Sequence, residues 1–103
     1  MKIKTIDVQA KQWRDRTYGN SYFAAQVTIN FGTKTEKTFY VPFQYGYGSQ
    51  YEWAAKQVLQ NAGLLPADIN GALSMIAREN NIILRTSLQE NCKKSDAKAF
   101  GSN

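Results

Sequence analysis

The chain has no histidine and a single cysteine, Cys92, among its 103 residues. A lone thiol excludes an internal disulfide, and without imidazole there is neither a Cys/His dyad nor a Cys/His zinc cage. For the same reason no Ser or Cys nucleophile has a histidine base. Carboxylates are scarce too, eight against thirteen Lys and Arg. Asp7, Asp15, Glu52, Asp68 and Glu79 lie scattered, with no spacing that makes a catalytic pair. The expectation is a non-enzymatic protein with no cofactor and no metal. No apolar run approaches the roughly 20 residues needed to span a bilayer. The opening MKIKTIDVQ also lacks the apolar stretch of a secretory signal. A cytoplasmic protein with no membrane partner is expected.

What is present is enough for one fold. A chain of 103 residues has room for one domain, and 43% hydrophobic content can fill its modest core. The net charge of +5 is compatible with phosphates or an acidic protein surface as partner, although Lys93, Lys94 and Lys98 also read as solubilising residues of a tail. Ile6, Val8 and Ala10 alternate with Asp7, Gln9 and Lys11, which predicts a first strand over residues 2–13, with Trp13 on its polar face. A polar turn follows, reversing at Gly19 and Asn20. The second strand is the clearest: Phe23, Ala25, Val27, Ile29 and Phe31 fall on one face, and Tyr22, Ala24, Gln26, Thr28 and Asn30 on the other. A loop over residues 32–36 leads to a third strand.

Residues 41–53, VPFQYGYGSQYEW, hold the greatest density of rings. Phe39, Val41 and Phe43 continue the strand period, and Pro42 places that strand at an edge or near its end. Gly46 and Gly48 then permit a tight bend that carries Tyr45 and Tyr47. Ser49 followed by Glu52 reads as a capping box for a helix running from Gln50 to about Ala62, with Gly63 as its stop. Helical spacing gathers Tyr51, Ala54, Ala55, Val58, Leu59 and Ala62 on one side and leaves Trp53 opposite, among Lys56, Gln57 and Gln60. A second helix is predicted from Ile69, Ala72, Leu73, Ile76 and Ala77, ending at Asn80 and Asn81, and a fourth strand over residues 82–88.

Together these elements predict a single α+β domain in the order β-β-β-α-α-β over residues 1–90. Its sheet is mostly antiparallel and four-stranded, with both helices on one face. Residues 91–103 form a polar tail that holds a short helix or frays. The second sheet face is expected to be wet, offering Trp13, Tyr22, Tyr40, Gln9, Lys11, Gln26, Thr28 and Asn30. Bases stack on such platforms in several single-strand binders, but Thr, Tyr and Gln also stand on open sheet faces because they suit strands.

The runs WRDRTYGNSYF at residues 13–23, VPFQYGYGSQY at 41–51 and NIILRT at 81–86 resemble a family of small uncharacterised bacteriophage and mobile-element proteins. The resemblance implies a phage or prophage accessory protein, active in the host cytoplasm; the family has no established mechanism, so no residue role transfers with it. Accessory proteins of this size commonly act by binding. The leading expectation is an inhibitor of a nucleic-acid-directed host defence system such as CRISPR or restriction. It would hold a host protein or ribonucleoprotein complex through Tyr45, Tyr47, Tyr51, Trp53 and Lys56. The alternative is direct nucleic-acid binding through Lys11, Trp13, Arg14, Arg16 and Tyr22. A virion or assembly component is a third reading, with a self-associating edge strand as its signature.

Overall fold

The computed structural model describes residues 2–102. Strands β1 (Thr5–Arg14), β2 (Ser21–Ile29) and β3 (Lys37–Tyr45) are followed by α1 (Gln50–Asn61), α2 (Leu73–Glu79), β4 (Ile83–Gln89) and α3 (Lys94–Phe100). The strand order is β3-β2-β1-β4. β1–β2 and β2–β3 are antiparallel, and β4 runs parallel to β1. The fold is α+β, with a mixed four-stranded sheet and α1 and α2 together on one face, as the periodicity predicts.

Register builds the core. Ile6, Val8 and Ala10 stand opposite Ile29, Val27 and Ala25, and Val41 stands beside Ala25. All seven side chains are buried. α1 lays Tyr51, Ala55 and Leu59 on this face, and α2 adds Leu73 and Ile76. Burying each branched side chain is worth about 1.5–3 kcal/mol, which makes this layer the main source of stability. Asn81, at φ 56°, adopts the left-handed turn predicted for the end of α2. α2 itself begins later than its apolar spacing predicts: Gly71 has φ +97° and Ala72 is still extended, so Ile69 packs on the core from a loop.

Two expectations for β2 are corrected at its end. Asn30 leaves the strand at φ 51°, which rotates everything beyond it. Phe31 therefore stands 65% exposed instead of joining the core. Asn30, expected on the wet face, is buried. Its Oδ1 accepts the Lys4 N–H at 2.7 Å, and its Nδ2 donates to the Lys2 carbonyl and to Thr35 Oγ1, both at 3.0 Å.

The second sheet face is not bare. The tail forms α3, whose Ala97 is fully buried and whose Phe100 carbonyl accepts the Gln26 side-chain amide at 3.1 Å. Gly101 then lies so close that a Cβ there would meet the Val41 carbonyl oxygen at 2.5 Å and Ala24 Cβ at 2.7 Å. Ala24, small and facing that side, provides the space. α3 thus covers the end of the face that carries Trp13, Tyr22 and Phe43, while Gln9 and Thr38 stay exposed.

Candidate functional site

The dense aromatic stretch joins the end of β3 to α1. Gly46 N–H donates to the Ser21 carbonyl at 3.1 Å, extending the sheet by one step. A Cβ on Gly46 would stand 2.5 Å from the Phe23 ring. Its absence lets the chain turn across that ring. Gly48, at φ +62°, supplies the left-handed step. The helix start differs from the expected capping box. Ser49 has ψ 9°, already in the turn, so its hydroxyl makes no cap bond. The Glu52 N–H goes to the Ser49 carbonyl at 2.9 Å, and the Gln50 side chain reaches back to accept the Tyr47 N–H at 2.8 Å.

This turn sets three rings outward. Tyr45, Tyr47 and Trp53 are 58%, 63% and 52% exposed. Tyr45 and Trp53 line a groove of about 320 Å³, together with Gln44, Gln57 and Gln60, with Phe23 and Ala54 supplying its apolar part. Trp53 also borders a second depression against α2, lined by Ser49, Glu52, Leu73 and Ser74. A half-open tryptophan beside an amide-lined groove is suited to bury a partner's apolar side chain while the glutamines bond its backbone.

Two residues expected at this site are largely buried, although Lys56 still lines the groove beside Trp53. Tyr51 and Lys56 are each only 7% exposed. Tyr51 occupies the core face of α1, as its spacing predicts. Lys56 lies on the polar side of the helical wheel, but its ammonium turns inward to donate to the Gly71 carbonyl at 2.7 Å and sits 5.2 Å from the centre of the Trp53 ring. It ties α1 to the approach to α2 and props the tryptophan. The free contact set is Tyr45, Tyr47 and Trp53.

The alternative set is divided in a similar way. Trp13, Tyr22, Phe43 and Tyr45 form a continuous ladder: Tyr22 stacks on Phe43 at 5.4 Å, packs 5.6 Å from Trp13 and meets Tyr45 edge-on at 5.7 Å. α3 places Lys94 over Trp13 at 5.0 Å and Lys98 over Phe43 at 5.8 Å, while Lys11 lies over Phe100 at 4.8 Å. The expected stacking platform is therefore covered by a helix and its cations. Arg14 and Arg16 remain exposed. With Trp13, Asn91, Cys92 and Lys93 they border a hollow of about 340 Å³ between the β1–β2 turn and the β4–α3 connection. The proximity of Lys93 to these arginines had no signal in the sequence, since it depends on β4 running parallel to β1.

Arg85 has its pKa raised by its hydrogen bond to Asp7 and by the charge of that carboxylate. Among the described residues no group of three His, Cys, Asp or Glu side chains converges as metal ligands would. No helix of the described residues is long and apolar enough to cross a membrane. Comparison with protein-family models, with curated proteins and with solved structures finds no match to this chain.

Proposed function

We propose that the protein is a non-enzymatic binding module that captures a host protein through the groove between Tyr45 and Trp53. The observation that carries this reading is the exposure of Tyr45, Tyr47 and Trp53 on a turn fixed by Gly46, Gly48 and the Gln50 cap. Exposed tryptophan and tyrosine on a rigid element lose little side-chain entropy on binding, and such residues dominate interface energetics. Coupled with the phage resemblance of the 41–51 run, the reading extends to an accessory protein that blocks a nucleic-acid-directed defence system.

The test is co-expression with a CRISPR or restriction system that targets a plaque-forming phage. The intact protein is expected to restore plaques, and Trp53→Ala to remove that protection while keeping the wild-type circular dichroism. Full protection by Trp53→Ala, Tyr45→Ala and Tyr47→Ala alike would reject the groove. Failure of the intact protein to protect against either system would reject the anti-defence reading.

One observation favours a second reading. Arg14, Arg16 and Lys93 border a single hollow with one carboxylate, Asp15, among them, a surplus of positive charge that suits a phosphate backbone without base stacking. Binding there would weaken with salt, each phosphate contact contributing about −0.9 to the slope of log K against log salt on duplex DNA. Arg16→Gln should flatten that slope. A salt-independent signal, or none at low salt, would reject it.

A further inference from the structure

β4 ends the sheet beside β1, and its outer edge pairs with no strand among the described residues. Ile83 N–H donates to the Lys4 carbonyl at 3.0 Å. Because backbone groups alternate sides along a strand, Arg85, Ser87 and Gln89 also face β1, and the N–H and C=O groups of Leu84, Thr86 and Leu88 point away from the molecule. The run ILRTSLQ holds no proline or glycine, and its single charge, Arg85, is held by Asp7 across the strand pair at 2.6 and 3.0 Å. The opposite edge is built differently. β3 contains Pro42, its register against β2 is irregular between Phe23 and Ala25, and the Gln44 side chain donates to the Pro42 carbonyl at 3.0 Å. Proline and broken register are devices that keep sheet edges from pairing. β4 has neither.

The edge is also self-complementary. Antiparallel alignment with Thr86 opposite Thr86 of a second copy sets Leu84 against Leu88 on both sides of the axis, Arg85 against Ser87 and Ile83 against Gln89. Leu84, Thr86 and Leu88 then all fall on hydrogen-bonded positions, so each outward N–H and C=O finds a partner. Leu84 and Leu88 already pack against the core from its margin, and this pairing carries their apolar layer across the axis. Sliding one step to set Arg85 opposite Arg85 would oppose like charges, which disfavours that register. We propose that β4 pairs with β4 of a second copy of the chain, with Thr86 on the two-fold axis, joining the two four-stranded sheets into one.

The test is the mass in solution, by light scattering and sedimentation, from micromolar to near-millimolar protein. Twice the 11.6 kDa monomer mass is expected. Thr86 is exposed and makes no side-chain hydrogen bond among the described residues, so Thr86→Lys should keep the monomer's fold while placing two ammonium groups face to face on the axis. Its dimer dissociation constant is expected to rise roughly tenfold or more. Mixing Thr86→Lys with Thr86→Glu should restore a dimer that neither forms alone, an outcome that a folding defect cannot imitate. A wild-type protein that stays monomeric to near-millimolar concentration overturns the proposal. So does a dimer that survives Thr86→Lys, or one that is lost in Trp53→Ala instead.

Discussion

Gly101 provides a test of whether α3 is seated on the sheet. Its φ of −90° is open to any residue, so the requirement there is for space alone. A methyl group would meet the Val41 carbonyl oxygen at 2.5 Å, Ala24 Cβ at 2.7 Å and the Phe43 amide nitrogen at 3.2 Å. Two of these atoms belong to the β3 backbone and cannot swing aside as a side-chain end would. Relief requires the end of α3 to move outward by about 1 Å to reach an ordinary contact. That movement loosens Ala97 and stretches the bond between Gln26 and the Phe100 carbonyl. Overpacking of this kind costs about 1–3 kcal/mol, which in a domain of this size lowers Tm by about 4 to 20 °C. Larger side chains should cost no more than shortening the chain to residue 93, because α3 can lift without opening the core on the other face. The assay is thermal unfolding of Gly101→Ala by circular dichroism, alongside Trp13 emission in a Trp53→Phe background. A weakened Lys94 contact should change that emission. Unchanged Tm and unchanged emission would refute the close approach of Gly101 to β3.

Two substitutions test the interior. Asn30→Leu strips the Lys4 N–H and the Lys2 carbonyl of their partners, and the left-handed φ of 51° suits leucine poorly; a loss of about 2–4 kcal/mol is expected in denaturant unfolding, and less than 1 kcal/mol would refute the role assigned to its amide. Tyr51→Ala and Trp53→Ala separate core from surface two residues apart on one helix. Truncating the buried tyrosine should cost about 3–5 kcal/mol, whereas the half-exposed tryptophan should cost clearly less; equal losses would mean that Trp53 supports the fold.

Much of the sheet and of α1 was legible because both depend on short-range periodicity. Alternation over 23, 25, 27 and 29 admits one face only, and the 51, 55, 59 spacing admits one helix orientation. The misplaced residues mark where that logic stops. Nothing in the alternation announces that Asn30 will turn left-handed, so the strand period carries Phe31 onto the core face, which the chain itself does not. The helical wheel puts Lys56 on the polar side of α1, but a four-carbon stem lets an ammonium leave its own face and reach a carbonyl fifteen residues away, as it does at Gly71. Ser49 followed by Glu52 has the capping-box spacing, yet the Gly48 turn delivers Ser49 in a conformation that the motif cannot use.

The covered sheet face shows the limit most clearly, because the covering element is remote in sequence. Residue spacing indicates that Trp13, Tyr22 and Ala24 share a face, but whether that face meets water depends on residues 94–101. The bond that anchors them joins Gln26 to Phe100, 74 positions apart. Read alone, Lys94 and Lys98 are solubilising charges. On the sheet they lie against Trp13 and Phe43, contacts worth about 0.5–1 kcal/mol each at exposed sites. The same positions that raise the net charge therefore cover the Trp13 and Phe43 part of the ladder of rings. This arrangement divides the binding surface in two: at the β3–α1 turn Tyr45, Tyr47 and Trp53 stay open because α3 does not reach them, and at the β1–β2 turn Arg14, Arg16 and Lys93 border one hollow. A partner of apolar and amide character fits the first surface and a polyanion fits the second, so mutations at Trp53 and Arg16 should distinguish the two modes.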